Sequence, residues 1–234
     1  MDISALLQSL VSMDNPVPPS LSVTRIALPL AWAVVLGCAA LGLAGRWSWP
    51  YRWGLCVGVI GWTLLAGSLS PAHWLGLAFQ SPSAMSVFMG LGWLAGQGCR
   101  TRGAAVPVRV EPVVNRVILV GVVLGWVLLL DTLAWWPVSV YSWGFSASAV
   151  GVLAGLVVLS WAVPGRVASS SSLAQPALLL PLCVLLFFVL TRLPTGNVWD
   201  ALLDPWLWVA LQGHWLFSAV RRCRAGRVPP ATRA

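Results

Sequence analysis

The chain has 234 residues, of which 59% are hydrophobic and 9% charged; a soluble domain carries about 25% charged residues. Its formal charge of +8 comes from arginine alone, since the chain contains no lysine. At this length no soluble core hides so much apolar surface, so the composition excludes an ordinary soluble domain and predicts an all-α polytopic membrane protein. A basic balance can also signal nucleic acid. Here the arginines flank apolar runs, which predicts orientation in a bilayer and no nucleic-acid partner.

Residues 1–24 form a mixed segment that includes Asn15-Pro-Val-Pro-Pro19. Leu6, Leu7, Leu10 and Val11 share a face if this segment is helical, which leaves two readings open: a helix lying on the membrane, or a frayed tail. The first apolar run, 26–45, is bracketed by Arg25 and Arg46. At 1.5 Å per residue it spans roughly 30 Å, the thickness of the hydrocarbon core. Val35-Leu36-Gly37-Cys38 partly matches a lipoprotein cleavage box, but the residues after Cys38 stay apolar, which predicts an uncleaved span.

Arg46-Trp-Ser-Trp-Pro-Tyr-Arg52 is a short basic and aromatic link of interfacial type. A second span follows at about 53–69. Ser70-Pro71 and Ser81-Pro82 then repeat one device, a serine cap followed by proline at the first helical position. They predict a short helix carrying His73 and Trp74, and a third span over 83–99. Further spans are predicted at 117–136, 141–163, 177–191 and 205–220, with Asp131 inside the fourth. The domain division is therefore 1–24, a seven-span membrane region over 25–220, and a basic tail over 221–234.

Seven spans place alternate loops on opposite sides. Twelve of the arginines then share one side, leaving Arg25 and Arg192 on the other. The positive-inside rule puts the N-terminus outside and the C-terminus in the cytoplasm. All-arginine usage with abundant Ala, Gly, Val and Trp suggests a GC-rich bacterial genome, and the spans then place the chain in a bacterial inner membrane. The spacings Gly54/Gly58, Gly92/Gly96, Gly121/Gly125 and Gly151/Gly155 predict close helix packing. The five cysteines form no CxxC pair, so neither a disulfide framework nor a zinc site is expected, and no metal or other cofactor is implied.

Polar chemistry concentrates on the outer side. Asp200 and Asp204 stand four apart, with Asn197 three before Asp200. Paired carboxylates suit cation binding or acid–base work. The competing account makes Asn197 and Asp204 helix caps, with Asp200 in a first turn. Asp131 and His214 lie roughly 8 and 13 Å deep at helical rise, so an intramembrane pair between them, with Arg192 as the competing partner, is an expectation. His73 joins the outer-face set.

The stretch Gly144-Phe-Ser-Ala-Ser-Ala-Val-Gly-Val-Leu-Ala-Gly155 resembles the nucleophile helix of rhomboid intramembrane proteases. That resemblance implies Ser146 as nucleophile and His214, two spans later, as its base. Ala147 stands where the family has glycine, and the third span lacks the family's His/Asn pair. Trp135-Trp136…Trp143 resembles the tryptophan-rich outer segment of haem-handling assembly proteins, but flanking ligand histidines are absent. The leading expectation is a non-enzymatic accessory or assembly subunit, whose outer loops meet lipid or another membrane or envelope protein. A rhomboid-like hydrolase and a small-solute or ion permease are the alternatives.

Overall fold

The computed structural model describes residues 18–100, 112–135, 137, 139–162 and 174–225. The surface-helix reading of Leu6, Leu7, Leu10 and Val11 lies outside them. In chain order the α-helices are α1 (Leu21–Leu43), α2 (Trp49–Thr63), α3 (Pro71–Phe79), α4 (Ala84–Arg100), α5 (Pro112–Thr132), α6 (Val140–Trp143), α7 (Ala147–Ala162), α8 (Ala174–Thr191), α9 (Val198–Leu202) and α10 (Pro205–Ala225), with a 3-10 turn at Gly67–Leu69. The described residues contain no strand. The fold class is all-α.

Two helices, Leu21–Leu43 and Asn115–Thr132, are long and apolar enough to cross a membrane, where the sequence predicts seven spans. Ala147–Ser160 and Leu179–Thr191 are shorter apolar stretches. The 15 residues of α2 reach only about 22 Å at helical rise. In the two long helices, 33% and 11% of the apolar window is buried inside the protein. Most of that window is therefore not buried against the described residues.

The predicted 141–163 span is broken. Gly144, Phe145 and Ser146 form a turn that separates α6 from α7. Its cause is distant in sequence. A Cβ on Gly144 would overlap Asn197 Oδ1 and the Trp199 ring, so the chain can pass the 197–199 segment only as glycine. The Gly144 carbonyl accepts the Val198 N–H at 3.0 Å across the same contact.

The start of α4 also differs from the sequence reading. Ser81 donates to the Pro82 carbonyl, whereas Ser83 Oγ accepts the Ser86 N–H at 3.1 Å, so Ser83 is the cap. Ser70-Pro71 starts α3 as read, with the Ala72 N–H donating to Ser70 Oγ at 3.1 Å.

The helices α1 and α2 form an antiparallel hairpin that packs on α3 and α4, and α8 packs on α4, α5, α7 and α9. Phe188, Val184, Leu185, Ala149, Ala84, Val198, Trp199 and Ala201 make the buried core around α9. Of the four paired-glycine spacings, Gly121/Gly125 marks a crossing: a Cβ there would press on Leu211 and Trp208 of α10. The other three pairs face open space. The hairpin crossing uses Gly37 instead, where a Cβ would meet Ile60 at 2.9 Å.

Candidate functional site

One end of the bundle gathers the start of α4, the end of α5, the α6–α7 turn, the end of α8 and the start of α10. The chain reverses there, so backbone groups at each helix terminus need partners. Asp204, Asp131 and Asn197 supply them, and Asp200 joins through side-chain hydroxyls.

Asp204 lies just before α10 and is buried. Its Oδ1 accepts the Leu207 N–H at 2.7 Å, capping α10. Its Oδ2 accepts the Ser83 N–H at 2.8 Å, the Ser83 hydroxyl at 2.7 Å and the Ser86 hydroxyl. One carboxylate thus ties together two helix N-termini that lie 121 residues apart in the chain. Both N-termini present positive dipole ends, where a buried negative charge is favoured.

Asp131 sits in the last turn of α5. The expected pairing with His214 or Arg192 is replaced by contacts closer at hand. Asp131 accepts the Val140 N–H at 3.0 Å, the Tyr141 N–H at 2.7 Å and the Ser139 hydroxyl at 3.2 Å. The start of α6 needs acceptors, and the end of α5 is the nearest place to find one. His214 is exposed on α10, with Nε2 3.4 Å from Ser218 Oγ. Arg192 ends α8 at φ 58°, with its guanidinium 5.4 Å from the Phe188 ring centroid.

Asp200, in the first turn of α9, accepts the Tyr141 phenol at 2.8 Å and the Thr195 hydroxyl. Asn197 is fully buried. Its Oδ1 accepts the Trp199 N–H at 3.0 Å and its Nδ2 donates to the Tyr141 carbonyl at 2.9 Å. Trp199 Nε1 donates to the Val140 carbonyl at 2.9 Å. The α6 segment and the 195–204 segment are thereby locked to each other.

Ser146 is buried and begins α7. Its hydroxyl donates to the Trp143 carbonyl at 2.7 Å, lies 2.9 Å from Ser148 Oγ and accepts the Ala149 N–H at 3.2 Å. These contacts engage it in a turn, and no hydrogen bond joins it to the exposed His214. His73 lies on α3, edge-on to Trp74 with centroids 5.3 Å apart. Among the described residues, no three His, Cys, Asp or Glu side chains group as a metal site.

The structure thus brings Asp131, Asn197, Asp200 and Asp204 to one end, and leaves His73 and His214 outside their hydrogen bonds. Tyr141, Thr195, Ser83 and Ser86 complete the network and were not singled out in the sequence. Tyr141 had a usable signal, being one of only two tyrosines in the chain. No family model matches the chain, and neither do any curated protein or solved structure.

Proposed function

We propose that the chain is a seven-span protein of a bacterial inner membrane, with its N-terminus outside and its C-terminus in the cytoplasm. In this reading it is a non-enzymatic accessory or assembly subunit. The aspartate-bearing end faces outward and presents a rigid, aromatic surface to another membrane or envelope protein. One observation carries the non-enzymatic reading: Asp131, Asn197 and Asp204 are spent on caps. Asp204 serves two helix starts, Asp131 serves α6, and Asn197 serves α9. A general base needs a free acceptor within reach of a substrate proton, and Asp131 and Asp204 have both oxygens occupied. Helices that are apolar yet mostly unburied support the membrane assignment.

A serine-reactive fluorophosphonate probe tests the non-enzymatic reading. The account expects no labelling at Ser146 in membranes carrying the full chain. Labelling of Ser146 that disappears in His214→Ala would establish a hydrolase and overturn the proposal.

A further inference from the structure

We infer that the turn between α1 and α2 is a docking site for an anionic phospholipid headgroup, on the face opposite the aspartate cluster. The inference rests on the membrane reading above. Arg46 is exposed in the turn, and Arg52 lies in the first turn of α2. The Nε of Arg52 is buried without a hydrogen-bond partner. Guanidinium stays charged at any accessible pH, and a buried donor on it left unpaired is costly.

Among the described residues, no carboxylate lies beside the hairpin arginines. The sequence holds no acidic residue between Asp14 and Glu111. The carboxylates of Asp131, Asp200 and Asp204 lie at the other end of the bundle, engaged as described. The neutralising group therefore comes from outside the hairpin. A phosphodiester suits it, because its oxygens accept two parallel guanidinium N–H bonds.

The rim of the turn selects the lipid over free phosphate. Trp47, Trp49 and Tyr51 are 58%, 55% and 71% exposed. Such amphipathic rings favour the headgroup level of a bilayer. A dissolved ion gains nothing from an apolar rim, whereas a headgroup with its glycerol and upper acyl chain does.

Native mass spectrometry of the full-length protein, offered equal phosphatidylglycerol and phosphatidylcholine, tests this. The wild type should retain phosphatidylglycerol in preference. Arg46→Gln and Arg52→Gln should each lower that preference roughly fivefold, the weight of one basic residue at an anionic surface. Arg46 is exposed, so its replacement leaves packing intact. Arg25→Gln, at the opposite end of α1, should leave the preference unchanged, and excess inorganic phosphate should not displace the lipid. Equal retention of both lipids, an equal effect of Arg25→Gln, or displacement by phosphate would each overturn the inference. Alkaline carbonate extraction separates the two layers of the argument. Release of the chain from membranes would refute the membrane reading itself, while a retained chain without lipid preference would refute only the docking site.

Discussion

Asp204 joins two helix starts through one buried carboxylate, so its loss strikes both. Asp204→Ala removes a cap and strands the Ser83 N–H and hydroxyl in a buried setting. The expected cost is about 2–4 kcal/mol, from one lost cap and the charge-assisted bonds. Denaturation in detergent micelles measures it, and an unfolding midpoint equal to wild type would refute the bridging role. Asp204→Asn should fall between the two, since its amide offers only one acceptor end. The caps at Asn197 and Asp204 were readable in sequence because a cap is a local matter of residue type and the next three amides. The Asp204 link to Ser83 and Ser86 was not, because nothing local records which distant helix start will arrive beside it.

At the scale of elements, apolar runs located the long helices to within several residues, since each run is dictated by its own composition. Breaks and crossings were less legible. The α6–α7 turn exists because residues 197–199 approach Gly144, and that approach is a property of the folded bundle. Gly144→Ala should therefore destabilise by about 1–3 kcal/mol, the usual cost of forcing extra volume into a packed site. Gly151→Ala, on the open face of α7, should be neutral or stabilising by up to about 1 kcal/mol through helix propensity. Measuring both unfolding midpoints in one detergent gives a direct contrast. Equal effects would mean that the 144–199 contact does not constrain the chain. The paired-glycine spacings carry the same lesson. Small residues permit close approach, but whether another helix takes the place depends on how the whole bundle is arranged.

At the scale of the molecule, the two ends of the bundle differ in chemistry. One end holds the three aspartates within closed hydrogen-bond networks. The other carries arginines that have no acid beside them in the α1–α2 hairpin. In the proposed topology a bilayer accounts for both ends at once: apolar helix flanks would face the acyl chains, and the arginine-bearing end would lie in the cytoplasm. Two cysteine positions report this sidedness. Trp135 is 74% exposed just beyond α5, and the native Cys223 is exposed near the end of α10. Each is made the sole cysteine, using Trp135→Cys for the first, in cells whose outer membrane is permeable. A membrane-impermeant maleimide should label position 135 in intact cells, and Cys223 only after the inner membrane is disrupted. Labelling of Cys223 in intact cells, with position 135 protected until disruption, would contradict the account.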